Sequence, residues 1–371
     1  MRIFSSRLFW FLYASVVAAS FFLCMPREIF AAYHFAQFKA TPPIHLLGSA
    51  TKVPMGMTPT QIKNWYHLPT SGGMGTIAIV GAYYDSTIEH DLEMFDTAFG
   101  LPQCTVKNGC LTQHVVGTGK KQNSGWAMET ALDVEWAHAI APSAKILLVE
   151  APTPSGVNLL KAIDYARAQK GVVAVSMSWG GAEFSDETSL DSHFDQSGGV
   201  QFFASSGDNG TGASWPAASP QVIAVGGTSL VGGEERAWTG SGGGISAYEP
   251  EPDFQKSYSI AKAGGHRAIP DVAYNADPKS GFPIYKSAAS GKGAWYVVGG
   301  TSAGAPQWAA IAALGGTVTA QQLYQDKAAT AHATYFYDIT SGSNGDCGYL
   351  CDARKKYDYV TGLGAPRTSI F

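Results

Sequence analysis

The 371-residue sequence has little charge. Lys, Arg, Asp and Glu together make up 15% of its residues, and the formal net charge is −4 at pH 7. No run of Lys and Arg interleaved with aromatic residues occurs, so a nucleic-acid partner is not predicted. The 45% share of hydrophobic residues and the 43 glycines are instead typical of a compact protein rich in loops. The composition therefore disfavours both a disordered chain and a nucleic-acid-binding protein.

Long apolar runs are scarce, and the one that stands out lies at the N-terminus. Residues 8–24 are almost wholly apolar, Arg2 and Arg7 precede them without an acid, and Ala31 and Ala32 follow. This pattern predicts a secretory signal peptide over residues 1–31. An uncleaved membrane anchor stays open, because a run of 17 apolar residues is near the lower limit for a span. Either alternative predicts that the rest of the chain is secreted or periplasmic.

Cysteine is rare, and its placement predicts disulfides. Cys24 belongs to the predicted leader, and the other four cysteines form two close pairs, Cys104 with Cys110 and Cys347 with Cys351. Four cysteines allow three connectivities, of which this local one needs the least rearrangement of the chain. A metal site is the alternative for the second pair. It is disfavoured because no histidine is close enough to complete a zinc site and because exported proteins favour disulfides.

From residue 57 onward, short apolar strands alternate with helical stretches. Strands are predicted at residues 76–80, 146–149, 172–178, 200–204, 222–225 and 294–298, and helices at 58–66, 92–99, 124–138, 157–168, 189–196 and 307–314. This alternation predicts an α/β fold with a parallel sheet covered by helices on both faces. No shift in composition divides residues 57–371, so we expect one domain, and a monomer. Residues 32–56 lack clear periodicity and are predicted to be a linker or a short pro-segment.

The segment Gly299–Pro306 places a serine between a strand and an apolar helix. Its glycines allow a tight turn and a close approach of substrate, and the helix N-terminus favours developing negative charge. This layout predicts that Ser302 is a nucleophile, although a plain N-cap role stays open on the local sequence alone. The segment also matches the Gly-x-Ser-x-Gly pattern of esterases. The Ser-Asp-His order of those enzymes is poorly met, because only His332 follows Ser302.

The sequence lacks the histidine base that commonly activates such a serine. None of its nine histidines precedes a Gly-Thr pair, and no Asp-Ser/Thr-Gly follows the strand at residues 76–80. Glu129 and Asp133 instead stand four residues apart, on one face of the predicted helix at 124–138, with Trp126 beside them. Two acids beside a tryptophan are not typical of a solvated surface. A surface helix with scattered acids nevertheless stays open, since many perturbed carboxyl pairs are structural.

Five motifs, in this order along the chain, resemble the sedolisin family of serine-carboxyl peptidases. They are Glu129–Pro142, Val175–Gly180, Ser205–Gly210, Arg267–Val272 and the Gly-Thr-Ser segment that contains Ser302. The resemblance covers about residues 57–371. It implies a subtilisin-like fold with a single catalytic domain and a peptidase that acts on protein or peptide substrates.

The resemblance also implies a role for each of four residues. Ser302 would be the nucleophile, Glu129 the general base and acid, Asp133 the group that orients Glu129, and Asp208 part of the oxyanion hole. Glu129 accepts the serine proton only while it is ionised, and Asp208 donates to an oxyanion only while it is protonated. We therefore expect activity at about pH 3 to 5, where carboxyls titrate and a histidine base would be charged.

Substrate binding is implied for a third motif. Ser178, Trp179 and Gly180 end a predicted strand and, by the resemblance, pair with an extended substrate backbone. For Trp179 the alternative is an ordinary core tryptophan. The favoured function is an endopeptidase, with a tripeptidyl exopeptidase or a catalytically idle peptide-binding relative as alternatives.

The resemblance further implies one structural calcium ion near the C-terminus. Asp338 and Asp358 would supply carboxylates, and Ile339, Arg354 and Lys356 would supply backbone carbonyls, which together make a shell of oxygen ligands. The sequence departs from the family at Lys356, where a glycine is usual. A carbonyl ligand survives that change, whereas a backbone angle that only glycine adopts would not.

Overall fold

The computed structural model describes residues 35, 37–288, 291–315, 319–325 and 335–367. The predicted signal peptide and His332 lie outside these residues. Among those described, no helix combines the length and the apolar character needed to cross a bilayer.

The strands carry the labels that follow. They are β1 (His45–Leu46), β2 (Thr76–Ala82), β3 (Leu111–Val115), β4 (Lys145–Ala151), β5 (Val172–Met177), β6 (Gly181–Ala182), β7 (Gln201–Ser205), β8 (Ser214–Trp215), β9 (Ile223–Val231), β10 (Glu234–Ala237), β11 (Gly244–Pro250), β12 (His266–Ile269), β13 (Val272–Asn275), β14 (Phe282–Ser287), β15 (Gly293–Gly299), β16 (Phe336–Tyr337) and β17 (Ala365–Pro366).

The helices are labelled in the same way. The α-helices are α1 (Pro59–Trp65), α2 (Ile88–Phe99), α3 (Ser124–Ile140), α4 (Gly156–Arg167), α5 (Asp253–Tyr258), α6 (Gly304–Gly315) and α7 (Ala320–Gln325). The 3₁₀ helices are Glu187–Phe194, Pro278–Ser280, Thr301–Ala303 and Gly348–Leu350.

An eight-stranded sheet forms the centre of the molecule. Its order is β10-β9-β7-β5-β2-β4-β3, with β13 also paired to β9, and only the β10–β9 pairing is antiparallel. Strands such as β2 are continuous apolar runs because both of their faces are buried. Helices α3 and α6 contribute to the hydrophobic core on one side and α4 to the core on the other. The predicted α/β fold, with a parallel sheet between helices, is confirmed.

Four predicted elements differ from the structure by more than two residues at one end or in type. The helices expected at residues 92–99 and 307–314 begin earlier, at Ile88 and Gly304. The helix expected at residues 189–196 is the 3₁₀ helix Glu187–Phe194, whose N-cap residue Asp186 makes no capping hydrogen bond. Its Thr, Ser and Asp residues are weak helix formers, so a short 3₁₀ segment is favoured over an α-helix. The strand expected at residues 222–225 continues to Val231. It passes through Gly227, where an added Cβ would lie 2.9 Å from the Trp238 ring, so the glycine allows close packing here rather than a turn.

The cysteines pair locally, as predicted. The Cα atoms of Cys104 and Cys110 are 5.0 Å apart and those of Cys347 and Cys351 are 5.2 Å apart, within the normal range for disulfides.

Candidate active site

Helix α3 carries the two acids into the interior. Asn123 caps its start by accepting a hydrogen bond from the Trp126 backbone N–H at 3.1 Å. The helix is then buried over nearly its whole length, and the side chains of Glu129 and Asp133 are each only 2% exposed. The predicted pair therefore does not lie on a solvated surface.

Ser302 lies in the 3₁₀ turn between β15 and α6. Gly300 precedes it with φ +125°, and an added Cβ there would lie 2.1 Å from the Pro43 carbonyl oxygen and 2.5 Å from Asp208 Oδ2. Only glycine fits such an angle and such a close approach. Ser302 is fully buried, and its hydroxyl lies close enough to Glu129 to lower the pKa of that carboxyl. Neither side chain makes a hydrogen bond within the described residues, and such contacts are often long without substrate.

Ser178 links Asp133 to the serine turn. Its hydroxyl donates to Asp133 Oδ1 at 2.6 Å and also lies 3.2 Å from the Ser302 carbonyl oxygen. Ser178 follows β5 directly, so the carboxyl end of that strand fixes the position of Asp133. The side chain of this residue therefore supports an acid, while the pairing of its backbone with a substrate stays a prediction.

Burial raises the pKa values of both acids on α3. For Glu129 burial is the main cause, and the negative charge of Asp133 raises its pKa further. Burial raises the pKa of Asp133 to about 8, although hydrogen bonding from Ser178 works in the opposite direction. Two acids in this situation retain one proton between them over a wide pH range and titrate as a unit.

Asp208 faces the serine turn from the loop after β7. Its Oδ1 accepts hydrogen bonds from the Thr301 backbone N–H at 2.8 Å and from the Thr301 hydroxyl at 2.7 Å. Its pKa is raised, since burial outweighs these bonds and a contact with His45. Its Oδ2 lies beside Gly300, next to the serine. The structure thus brings Ser302, Glu129, Asp133 and Asp208 together at one edge of the sheet.

The N-terminal segment lies in the cleft beside these residues. Thr41 N–H donates to the Gly180 carbonyl at 3.0 Å, and Gly180 N–H donates to the Thr41 carbonyl at 3.2 Å. Ala40 N–H donates to the Pro154 carbonyl at 2.9 Å on the opposite side. Further along, β1 pairs antiparallel with β15, with His45 opposite Gly299. Residues 40–46 therefore cross the cleft from Gly180 to β15, with a tight turn at Pro43 in which Ile44 N–H donates to the Pro42 carbonyl at 3.1 Å.

One contact of this segment reaches Asp208 directly. His45 Nε2 lies 2.9 Å from Asp208 Oδ2, and the two side chains are 49% and 5% exposed. Asp208 raises the pKa of His45, which favours the charged imidazolium. Sequence reasoning missed His45, because residues 32–56 show neither periodicity nor a motif that marks it.

Trp179 lies in the core and not in the cleft. It is fully buried, its Nε1 donates to the Val80 carbonyl at 2.8 Å, and its ring centroid is 6.1 Å from that of Trp215. Its side chain thus follows the alternative of a core tryptophan. Of the three residues implied for substrate binding, only Gly180 pairs through its backbone with a chain in the cleft.

The residues implied for calcium gather at the turn 354–358. Asp338 Oδ2 accepts a hydrogen bond from Lys356 N–H at 2.9 Å, and Asp358 Oδ2 accepts one from Arg354 N–H at 3.0 Å. Ile339, next to Asp338, is almost fully buried. Two carboxylates beside backbone carbonyls at a turn match the kind of ligands that calcium takes.

Asp358 already uses its oxygens in this conformation. Besides Arg354, the backbone N–H groups of Val360 and Thr361 and the Thr361 hydroxyl donate to it, at 2.8–3.0 Å. An ion bound through Asp358 would therefore replace at least one of these bonds. Lys356 has φ +68°, a left-handed angle that is uncommon for a residue other than glycine.

Comparison with known proteins agrees with this geometry. A family model described as the Subtilase family matches residues 113–334. The chain is 32% identical to kumamolisin from Bacillus sp. (strain MN-32), over 86% of this chain and 63% of that protein. It is 27% identical to sedolisin from Pseudomonas sp. (strain 101), over 84% of this chain and 60% of that protein. It is 29% identical to tripeptidyl-peptidase 1 from Dictyostelium discoideum, over 74% of this chain and 50% of that protein.

A solved structure of a sedolisin is also similar to this chain. The structure of Pseudomonas sedolisin, a serine-carboxyl proteinase complexed with two molecules of pseudo-iodotyrostatin, superposes with a TM-score of 0.70 at 25% identity. The match covers 86% of this chain and 96% of that one. The chain spans 50–63% of the length of the three curated relatives described above. The chain belongs to the sedolisin family, within the subtilisin-like superfamily.

Proposed function

We propose that this protein is an acid-acting serine-carboxyl endopeptidase. The observation that carries the proposal is the convergence of Ser302 with the buried Glu129–Asp133 pair on one side and Asp208 on the other. A serine nucleophile needs an adjacent base and a group that stabilises the oxyanion, and these carboxyls supply both.

The chemistry follows from the protonation of the three acids. When the Glu129–Asp133 pair holds a single proton, Glu129 takes the proton of Ser302 as the serine attacks the scissile carbonyl. Asp133, which is held by Ser178, orients Glu129 and shares the charge. Protonated Asp208 donates a hydrogen bond to the oxyanion, and Glu129 then returns its proton to the leaving amine.

Endopeptidase activity is favoured by the course of the segment in the cleft. Residues 38–41 of the segment pass Gly180 and the loop at Pro154. They lie N-terminal to Pro43, the residue of the segment that lies against Gly300. A tripeptidyl exopeptidase needs a cleft that ends three residues before the cleaved bond. Here the groove holds at least six residues on that side, counting from Phe38 to Pro43.

The test is digestion of a peptide library between pH 2 and 7, with identification of the product termini. Internal cuts support an endopeptidase, whereas release of N-terminal tripeptides would identify the exopeptidase.

We expect Ser302→Ala and Glu129→Gln each to reduce kcat by about 10³-fold or more while the far-UV circular dichroism is retained. Glu135→Gln, a buried acid on the same helix outside the site, is the control. Full activity of Glu129→Gln would overturn the mechanism.

The proposal also includes a bound metal ion and a cellular location. We propose one structural calcium ion at the turn 354–358, where calcium would neutralise Asp338 and Asp358 and fix the loop held by the Cys347–Cys351 disulfide. We also propose that the protein acts outside the cytoplasm, on the basis of the leader pattern and the disulfides. N-terminal sequencing of the secreted protein tests the latter.

A further inference from the structure

The loop that carries Asp208 is rich in glycine. Residues 207–212 include Gly207, Gly210 and Gly212, with φ angles of +106°, +75° and +121°. Glycine adopts such angles readily but has no preference for them, so this sequence does not by itself hold the loop in one conformation. The position of Asp208 must therefore be fixed by contacts with other parts of the chain.

The segment that packs against this loop is rich in glycine as well. Residues 240–243 have the sequence Gly-Ser-Gly-Gly. Gly210 N–H donates to the Gly240 carbonyl at 3.0 Å, and Gly212 and Gly243 exchange hydrogen bonds of 2.7 and 3.1 Å. Two glycine-rich segments that hydrogen-bond to each other share the same conformational freedom, so the pair depends on a further support.

Asn344 contacts both glycine-rich segments. Its Nδ2 donates to the Ser241 carbonyl at 2.7 Å, and an added Cβ on Gly210 would lie 2.6 Å from the Asn344 carbonyl oxygen. Asn344 is buried, so its hydrogen bond to Ser241 is shielded from water. The Ser241 hydroxyl also donates to the Val360 carbonyl at 2.9 Å, so loss of the Asn344 amide would loosen this support without removing it.

The hairpin at residues 342–353 holds Asn344 in place. Within the hairpin, Asn344 N–H donates to the Cys351 carbonyl at 3.0 Å. The Cys347–Cys351 disulfide closes the hairpin, and Cys347 Sγ lies 4.0 Å from Thr211 Oγ1 on the Asp208 loop. The disulfide therefore lies next to the Asp208 loop and limits the movement of the residue that supports it.

The supported loop forms one wall of a cavity in the cleft. This cavity of about 510 Å³ lies between residues 206–214 and residues 180–182, and residues 41–45 line its remaining side. Apart from Asp208, the residues of the two facing walls are uncharged. A substrate residue whose carbonyl lies beside Asp208 has this cavity next to its side chain. The cavity is large enough for an aromatic ring, and its width depends on where the Asp208 loop stands.

We propose that the hairpin at residues 342–353 is a positioning element of the active site, which fixes the Asp208 loop through Asn344 and so sets the preferred substrate side chain at the cleaved bond. This inference rests on the proposed function, because it concerns the substrate of the same site. With the support in place, the wall stays where a large uncharged side chain fills the cavity. Without it, the loop adopts further conformations, and discrimination between large and small side chains falls.

Hydrolysis of two peptides by the full-length chain at about pH 4 tests the proposal. The peptides differ only in carrying Phe or Ala on the N-terminal side of the cleaved bond, and we expect the wild type to prefer Phe. Asn344→Ala and the double variant Cys347→Ser/Cys351→Ser should each lower the ratio of kcat/KM between the Phe and Ala peptides at least about fivefold. A mere loss of folded protein would reduce both rates alike and leave the ratio unchanged. An unchanged ratio in both variants would therefore overturn the proposal.

The other disulfide loop provides matched controls. Asn108 lies between Cys104 and Cys110, and its Nδ2 donates to the Gln103 carbonyl at 2.7 Å, in a loop that does not line the cavity. Asn108→Ala and the double variant Cys104→Ser/Cys110→Ser should therefore keep the wild-type ratio. An equal fall in these controls would show that the ratio reports general loosening of the protein and would also overturn the proposal.

A second measurement does not depend on activity. In a Ser302→Ala background, the Gly210 and Gly212 amides should each lose about tenfold of their hydrogen-exchange protection when Asn344→Ala is added. Unchanged protection of both amides would overturn the support of the loop by Asn344. If protection falls but neither the wild type nor any variant hydrolyses a peptide, the support by the hairpin stands and the proposed peptidase is what fails.

Discussion

At the scale of single residues, Ser178 sets the proton affinity of the acids on α3. Its hydroxyl donates to Asp133 at 2.6 Å and stabilises the ionised form of that carboxyl. Removing this bond raises the pKa of the Glu129–Asp133 pair, so the pair binds its second proton at a higher pH. We expect Ser178→Ala to shift the acid limb of the kcat profile upward by about one pH unit, with less change on the alkaline side.

The same strand offers a control for this shift. Ser176 is also fully buried in β5, and its hydroxyl has no hydrogen-bond partner among the described residues. Ser176→Ala should therefore leave the pH profile in place. A profile for Ser178→Ala that only decreases in height, without moving along the pH axis, would show that Ser178 positions the turn and does not tune the acids.

The residues of the proposed active site could be picked out from the sequence, but the contacts around them could not. Ser302, Glu129 and Asp208 belong to local motifs in which residue types and spacings carry the chemistry. His45 belongs to no such motif. Its place in the site depends on a contact with Asp208, which lies 163 positions further along the chain. Contacts of this kind arise from tertiary placement, which neither periodicity nor composition encodes.

At the scale of elements, the limits of prediction have a different cause. The buried strands were predictable because a short continuous apolar run is typical of a parallel strand that is covered on both faces. The end of β9 was not, because Gly226 and Gly227 are typical of a turn. Here they keep extended geometry, and the absence of side chains lets Pro270 and Trp238 approach the strand. The 3₁₀ helix Glu187–Phe194 was missed because helical periodicity alone does not distinguish it from an α-helix.

The turn 354–358 yields a prediction about metal binding. Asp338 and Asp358 both contact this turn, and burial raises the pKa of Asp358 to about 6. A bound cation would offset the burial of these charges. At a calcium concentration of about 100 times Kd, we expect about 2.7 kcal/mol of stabilisation, which raises the Tm by several degrees. Differential scanning calorimetry with calcium and with a chelator, at pH 6, measures the difference.

Two variants make this test specific for the proposed ligands. Asp338→Asn keeps an oxygen that can accept the Lys356 hydrogen bond but loses the charge, so the rise in Tm on adding calcium should be small. Asp352→Asn alters a nearby acid that pairs with the Arg354 side chain and is not in the ligand set, so it should respond as the wild type does. An equal response of all three proteins would place the ion elsewhere.

At the scale of the whole molecule, the interior holds many carboxyl groups with raised pKa values. Burial raises the pKa of Asp96 to about 7, of Glu150 and Glu249 to about 8, and of Glu187 to about 9. Glu187 and Glu249 lie with Glu183 and Asp191, whose negative charges add to the effect of burial. A protein built in this way carries its interior acids neutral in acidic surroundings, which agrees with the proposed working pH.

The sign of this effect gives a prediction for stability. A group whose folded-state pKa is raised stabilises the fold fully below its unfolded value, and that stabilisation is lost as the pH rises through the folded-state pKa. The four acids therefore favour the folded state most at pH 4 and below, and least above about pH 9. We expect the Tm to fall by at least about 5 °C between pH 4 and pH 8, measured in a chelator so that metal binding does not contribute.

Glu249 allows this prediction to be assigned to a residue. Both of its carboxyl oxygens are buried without a hydrogen-bond partner among the described residues, so ionisation there has little to stabilise it. Glu249→Gln keeps the shape of the side chain and cannot ionise, so it should reduce the fall in Tm between pH 4 and pH 8. Glu234→Gln, at a carboxyl that is 64% exposed, should leave the fall unchanged. If Glu249→Gln showed the full wild-type fall, the loss of stability at neutral pH would have to come from other acids in the molecule.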